Sequence, residues 1–217
     1  MTEVIEACVE SLDAALAAER GGADRLELCA NLDVGGVTPS AELLTAVKSH
    51  VGIPVFTMIR PRGGSFVYTP ADRDEIRRDI AAMREHGADG LVLGMLDDRG
   101  CVDVHGMRNM LADEDGLPIT FHRAFDAIAE QHAALDVLVE LGIDHVLTSG
   151  GAASALEGAD AIRSLVEHAG GRIRIMAGGG VRAHNARELV RLAGVRELHA
   201  RCEVDALRIA DIRRVVT

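Results

Sequence analysis

The sequence predicts an α/β protein in which eight parallel strands alternate with eight helices and close into one (β/α)8 barrel, a TIM barrel over residues 1–217. The first indication is that apolar strand runs end in arginine, histidine or glycine, as Ile53–Gly64 does. The second is a Gly-x-Asp segment before an apolar strand, at Gly22–Asp24, Gly87–Asp89 and Gly142–Asp144. With 48% hydrophobic residues, the chain has enough apolar surface for one large core.

Strands are predicted where apolar runs are short and bounded by turn residues. These runs are Val4–Val9, Arg25–Cys29, the strand within Ile53–Gly64, Leu91–Leu96, Ile119–Arg123, His145–Ser149, Ile173–Ala177 and Glu197–Ala200. An open doubly wound sheet is the alternative architecture. It is disfavoured because no Gly-x-Gly-x-x-Gly segment follows the first strand.

Helices are predicted between the strands from capping residues and from apolar residues three and four positions apart. They cover Ser11 (as N-cap) to Arg20, Thr38 (N-cap) and Pro39 (first helical residue) to Ser49, Asp72–Glu85, Asp103–Leu111, Gln131–Leu141, Ala159–Ala169, His184–Leu192 and Asp205–Val216.

Composition excludes several classes of partner. A net charge of −11 disfavours nucleic acid and anionic membranes, and 2% aromatic residues without tryptophan offer little stacking surface for bases. No apolar run approaches the ~20 residues of a membrane span. The four cysteines are scattered without a Cys-x-x-Cys pair, which predicts a cytoplasmic protein with free thiols.

Alternation along the strands predicts charged side chains inside the barrel, because charged residues between aliphatic ones cannot face the helix layer. The charged, cysteine and histidine residues predicted to face inward are Glu6, Cys8, Glu10, Arg25, Glu27, Cys29, Arg60 and His122, and of these Glu6, Glu27, Arg60 and His122 are expected to converge. Buried charges are costly unless paired, so they indicate either a site at the C-terminal strand ends or a structural ion-pair network across the barrel. Both interpretations remain open at this point.

Two glycine-rich turns follow strands six and seven, where backbone N–H groups can approach an anion. Arginines lie near the same rim, so the sequence predicts an anion-binding set: Arg62, Arg123, Ser149, Gly150, Gly151, Gly178, Gly179 and Gly180. The alternative is that the glycines only make tight turns between strand and helix.

Cys8 and Cys29 are expected at similar depths on adjacent strands, facing inward. Two facing thiolates suit a soft ion such as Cu(I). Against this, lone cysteines often serve as small buried hydrophobes.

Several motifs together resemble those of the CutC family, from about residue 3 to His199: Glu6–Ser11, Gly21–Cys29, Gly35–Ser40, Pro54–Gly64, Thr120–Asp126 and Leu147–Gly151. The resemblance implies a TIM barrel, a homodimer or homotetramer, and a role in copper homeostasis. It also implies that Cys8 and Cys29 match the two cysteines of members said to bind Cu(I). The chain departs from the family pattern at Ala177, where proline is usual, and in its short segment between His199 and Asp205.

Two functions are therefore expected. One is CutC-like copper handling, with Cu(I) bound by Cys8 and Cys29. The alternative is an enzyme that acts on a small anionic or phosphorylated metabolite by acid–base chemistry. Its catalytic set would be Glu6, Glu27, Arg60, His122 and Asp126. Glu27 or His122 would be the base and Arg60 the oxyanion partner, while Asp126 would orient His122 or a metal, or cap the next helix.

Overall fold

The computed structural model describes residues 4–112, 116–202, 204 and 207–217, and its eight parallel strands close into a barrel in sequence order. The predicted TIM barrel is therefore confirmed. The strands are β1 Val4–Val9, β2 Arg25–Leu28, β3 Val55–Met58, β4 Gly90–Leu93, β5 Ile119–Phe121, β6 His145–Thr148, β7 Arg174–Gly178 and β8 Glu197–Arg201.

The helices surround the barrel and follow the strands in turn. They are α1 Leu12–Arg20, α2 Ala41–Lys48, α3 Pro70–Glu85, α4 Val104–Leu111, α5 Gln131–Glu140, α6 Ala159–Ala169, α7 Ala183–Ala193 and α8 Leu207–Val216. Short 3-10 helices cover Leu32–Val34 and Arg123–Ala127. The predicted start of the last helix, Asp205, lies outside the described residues. None of the helices in the described ranges is long and apolar enough to cross a membrane.

The predicted start of α2 is wrong. Ser40, not Thr38, is the N-cap, and its side chain accepts a hydrogen bond from the Leu43 N–H. The Thr38 hydroxyl is already engaged, because it donates to Asp79 at 2.6 Å and accepts from the Arg60 N–H at 3.0 Å. Thr38 therefore ties the end of β3 to α3 instead of capping α2.

The three Gly-x-Asp segments fasten the bottom of the barrel in the same way. Their glycines have φ values of 86°, 85° and 75°, in the left-handed region. Each aspartate reaches back to the start of the preceding strand with a backbone and a side-chain hydrogen bond. The side-chain bonds run from Ile5 N to Asp24 at 2.7 Å, from Val55 N to Asp89 at 2.7 Å and from Ile119 N to Asp144 at 2.8 Å.

The inside of the barrel is packed by side chains from alternate strand positions. Near the N-terminal end, the guanidinium of Arg25 lies 4.5 Å from the centre of the Phe56 ring. The Phe56 ring in turn occupies the space over Gly90, where a Cβ atom would be 2.6 Å from the ring. Gly90 is therefore required by packing against Phe56.

We expect Gly90→Ala to lower the free energy of unfolding by about 1–3 kcal/mol, the usual cost of forcing extra volume into a packed core. Urea denaturation measures this cost. Gly52→Ala is the control, because a Cβ there would lie 3.5 Å from the nearest atom, a Glu19 carboxylate oxygen. Equal unfolding free energies for the two variants would contradict the packing argument.

Candidate functional site

A cavity of about 260 Å³ opens at the C-terminal mouth of the barrel. Its polar lining comes from the ends of the strands and the turns that follow them: Cys8, Glu27, Arg60, His122, Arg123 and His199. Its apolar lining includes Leu32, Met58, Phe66 and Leu147. Four of the predicted inward residues therefore meet there, together with His199, which the sequence analysis did not single out.

The two predicted thiols lie side by side at this mouth. Cys8 Sγ is 3.4 Å from Cys29 Sγ, and Cys8 Sγ donates to Glu27 Oε1 at 3.3 Å. None of the four cysteines, all of which belong to the described residues, forms a disulfide bond, and Cys8 and Cys29 are buried. The hydrogen bond with Cys29, burial and the Glu27 carboxylate all raise the pKa of Cys8 well above its usual value. Cys8 therefore carries its proton at neutral pH in the absence of a metal.

Glu6 is the centre of a buried ion network below the thiols. Arg25 Nε donates to Glu6 Oε2 at 2.5 Å, and Arg25 also contacts Glu197 Oε2 at 3.2 Å. His199 Nδ1 lies 2.8 Å from Glu6 Oε1. Burial alone would raise the pKa of Glu6, but Arg25 and His199 outweigh it and hold the value at about 2. Glu6 is thus a fixed anion and not a general base.

Glu27 differs from Glu6 in its surroundings, although both belong to the same predicted pair of carboxylates. Burial raises the pKa of Glu27, and the charge of Glu6 adds to that effect, while His199 opposes it. The Oε2 atom of Glu27 is buried without a hydrogen-bond partner among the described residues. Burial would lower the pKa of His199, but Glu27 and Glu6 raise it above its usual value.

His122 presents a neutral ring to the cavity. Its Nδ1 accepts the Ala124 N–H at 3.2 Å, so the neutral imidazole carries its proton on Nε2. Within the described chain, Nε2 is buried without a partner. Burial and the nearby Arg60 lower the pKa of His122 to about 3. His122 is therefore equipped to donate a hydrogen bond at neutral pH and not to accept a proton.

Arg60 and Arg62 hold loops of the protein. The Arg60 guanidinium donates to the carbonyl oxygens of Val34, Gly36 and Gly64 at 2.9–3.1 Å. It also stacks on the Phe66 ring, with 4.9 Å between the guanidinium carbon and the ring centre. Arg62 makes a two-pronged ion pair with Asp72, at 2.9 and 3.1 Å. Both guanidinium groups make internal contacts, while Arg60 Nε is buried without a hydrogen-bond partner among the described residues.

The turn after β6 already holds an anion, and that anion is Asp126. Its Oδ1 accepts the N–H groups of Ser149 and Gly151 at 3.0 and 3.1 Å, and the Thr148 hydroxyl at 2.5 Å. Its Oδ2 accepts from Arg123 Nε at 2.8 Å. Asp126 thus orders this turn, and none of its hydrogen bonds goes to His122. It also does not cap α5, whose N-cap is Glu130.

The three glycines at the C-terminal end of β7 and in the turn after it have different surroundings. Gly178 packs against Leu147 and His199, where a Cβ would be 2.5 Å from the leucine. Gly179 lies beside Arg123, whose Nη1 atom would be 3.5 Å from a Cβ there. Gly179 and Gly180 both have positive φ, at 109° and 74°. Of the predicted anion set, Arg123 lines the cavity and Gly179 lies beside Arg123.

His199 is the residue that the sequence analysis missed. The signal was present in strand eight, where Glu197 and His199 alternate with Leu198 and Ala200 in the same way as Glu6 and Cys8 alternate with aliphatic residues in strand one. Pairing confirms the parity, since Glu6 is in register with His199 and Cys8 with Glu27.

Comparison with known proteins identifies the group to which this barrel is related. A family model described as the CutC family matches residues 3–204. The chain belongs to the CutC family. The copper homeostasis protein cutC homolog of Homo sapiens is 47% identical over 196 residues, which are 90% of this chain and 72% of that protein. The family protein CutC of Caulobacter vibrioides (strain NA1000 / CB15N) is also 47% identical, over 90% of this chain and 80% of its own length.

A solved CutC structure extends the likeness to the backbone. The crystal structure of CutC from Streptococcus agalactiae superposes with a TM-score of 0.87 at 37% identity, covering 90% of this chain and 97% of that one. The resemblance inferred from the motifs is therefore confirmed at the level of family and fold.

We expect the buried, neutral His122 to make folding sensitive to acid. The pKa of His122 is about 3 in the folded protein and 6.5 in the reference state, so between these pH values the unfolded chain binds a proton at this residue that the folded chain does not bind. As pH falls from 6.5 towards 3, this one group lowers the free energy of unfolding by up to ~1.4 kcal/mol per pH unit. Urea denaturation between pH 7.5 and 4.5 should give a smaller slope for His122→Gln than for wild type. His184→Gln, which removes an exposed histidine from α7, is the control, and identical slopes in all three proteins would contradict the assignment.

Proposed function

We propose that this CutC-family chain binds a copper ion as Cu(I) between Cys8 and Cys29. The observation that carries the proposal is the Sγ–Sγ distance of 3.4 Å. Two thiolates that bind one ion at ~2.3 Å each can be at most about 4.6 Å apart, so both sulfurs reach a shared ion without movement of the strands. The relatives named copper homeostasis proteins support copper as the cargo.

The surroundings of the thiols favour a soft ion. Sulfur ligands select Cu(I) over hard cations such as Mg²⁺ and Ca²⁺. Cys8 lines the mouth cavity and Cys29 lies behind it, fully buried, so an ion would enter from the cavity and meet Cys8 first. The proposal places the protein in a reducing cytoplasm, where both thiols stay available. Assembly as a homodimer or homotetramer remains a prediction.

Competition titration with a Cu(I) chelator of known affinity tests this proposal. We expect Cys8→Ser and Cys29→Ser each to lower Cu(I) affinity at least about tenfold, because a hydroxyl is a hard and weakly acidic ligand. Cys101→Ser removes an exposed thiol and Cys202→Ser a buried one, and both controls should retain wild-type affinity. Equal affinity in all five proteins would exclude a specific site at Cys8 and Cys29.

A second candidate function, acid–base catalysis, is favoured by one observation. Glu27 Oε2 and His122 Nε2 are both buried and have no hydrogen-bond partner among the described residues, and the two residues line the same cavity. In this proposal Glu27 exchanges a proton with the substrate, while the His122 N–H, in place of Arg60, stabilises the developing oxyanion. The substrate class is a small anionic metabolite, with Arg123 and the turn at Gly179 as its anion contact.

Thermal unfolding with inorganic phosphate tests the anion contact. If phosphate binds, a concentration ten times its Kd adds about 1.4 kcal/mol of stability, which corresponds to a rise in Tm of about 3–6 °C for a chain of this size. Arg123→Gln should lose the rise, whereas Arg163→Gln, a surface substitution on α6, should keep it. The same phosphate-dependent rise in all three proteins, or none in wild type, would rule out an anion site at Arg123.

A further inference from the structure

Three different metal-binding donors lie together at the cavity, and we call them the mouth triad. Cys8, Glu27 and His199 each place one donor atom within 4.8 Å of the donors of the other two. They lie on three adjacent strands, since β1 is paired with β8 on one side and with β2 on the other. The barrel itself therefore fixes their spacing, independently of any loop.

Cys8 and Glu27 are joined by a hydrogen bond, and the proton in that bond lies where an ion could bind both groups. The Cys8 thiol donates to Glu27 Oε1 across 3.3 Å, and Glu27 Oε2 is buried without a partner among the described residues. Zinc bonds are ~2.3 Å to sulfur and ~2.0–2.2 Å to carboxylate oxygen, so one ion can contact both groups at this separation. A buried carboxylate oxygen that accepts no hydrogen bond is a favourable ligand for a cation, which would supply the missing partner.

His199 has a buried carboxylate beside its ring, as many metal-binding histidines do, and its Nδ1 is also 4.0 Å from Glu27 Oε2. Its Nδ1 lies 2.8 Å from Glu6, whose carboxylate is fixed by the ion pair with Arg25. An ionised carboxylate only accepts hydrogen bonds, so Nδ1 carries the proton and Nε2 is the nitrogen left for an ion. A carboxylate behind a metal-binding histidine is the usual arrangement that fixes the tautomer and increases the basicity of the ligand. Glu6 would therefore be a positioning residue for His199.

We propose that the mouth triad is a three-ligand site for a borderline divalent ion of the Zn²⁺ type, with its fourth position open to the cavity. One sulfur, one nitrogen and one oxygen donor form a mixed set that suits Zn²⁺ better than Cu(I). Three protein ligands with an open position are typical of catalytic zinc sites. On binding, the Cys8 thiol and the Nε2–H of the protonated His199 ring each release a proton to solvent, and the freed sulfur and nitrogen lone pairs form the bonds to the ion.

The open position defines the class of ligand. The cavity has a volume of about 260 Å³, which suits a small molecule and not a polymer. A fourth ligand would be a water or the oxygen of a carbonyl or carboxylate group, and the His122 Nε2–H lines the same cavity as a hydrogen-bond donor for it. The site shares Cys8 with the proposed Cu(I) site but does not require Cys29.

Cobalt(II), added to metal-free reduced protein, is the probe for this site because it replaces Zn²⁺ and is coloured. We expect a thiolate-to-cobalt charge-transfer band and intense visible bands of tetrahedral Co²⁺, both removed when Zn²⁺ displaces it. His199→Ala and Glu27→Gln should each weaken Co²⁺ binding at least about 10-fold, while His184→Ala should not. Circular dichroism of each variant checks that the barrel is intact, and His199→Gln provides a second variant that keeps a polar side chain.

Reciprocal variants separate this inference from the copper proposal. Cys29→Ser should lose Cu(I) affinity and keep the Co²⁺ spectrum, whereas His199→Ala should lose the Co²⁺ spectrum and keep Cu(I) affinity. Azide should shift the visible bands of the Co²⁺ protein by occupying the open position. A Co²⁺ spectrum without a thiolate band, or one that His199→Ala leaves unchanged, would overturn the divalent site. A spectrum that azide does not change would overturn the open position.

Discussion

The buried ion pair between Glu6 and Arg25 is the contact on which the interior of this barrel depends. Arg25 reaches from the Phe56 ring near the bottom to Glu6 and Glu197, and Glu6 then holds His199 at the mouth. Removal of one partner from a buried pair costs about 3–5 kcal/mol, because the other charge is left uncompensated. The sequence allowed either an ion-pair network across the barrel or a functional site at the C-terminal strand ends. The structure contains the ion-pair network, and Glu6 connects it to His199 at the cavity.

The cations of the rim are largely committed to the protein's own anions and carbonyl groups. Arg60 binds loop carbonyls, Arg62 binds Asp72, and Arg123 binds Asp126. Within the described residues, the atoms of cavity-lining side chains that are buried without a hydrogen-bond partner are Glu27 Oε2, His122 Nε2 and Arg60 Nε. With the thiol of Cys8 and the ring of His199 beside it, the Glu27 carboxylate gives the mouth a sulfur, a nitrogen and an oxygen donor in one place. This set of donors favours a metal cation as an occupant beside Glu27.

The fold and the inward residues could be predicted from sequence because both follow from short-range rules. Period-two alternation placed Glu27 and His122 inside, and the Gly-x-Asp segments marked where helices end. Partners contributed by distant backbone could not be predicted in this way: nothing near Arg60 in the sequence reveals that the carbonyl oxygens of Val34 and Gly36 would bind its guanidinium. The same holds for Asp126, whose partners in the turn after β6 are 22–25 residues away. His199 follows the same alternation rule, since Glu197 and His199 alternate with Leu198 and Ala200 in the last strand.

Copper binding at Cys8 and Cys29 requires sulfur from both strands at one ion, and X-ray absorption of the Cu(I)-loaded protein tests this most directly. The fine structure should contain two sulfur neighbours in wild type, and one in Cys29→Ser. A first shell of nitrogen and oxygen alone, or a shell that Cys29→Ser leaves unchanged, would contradict it.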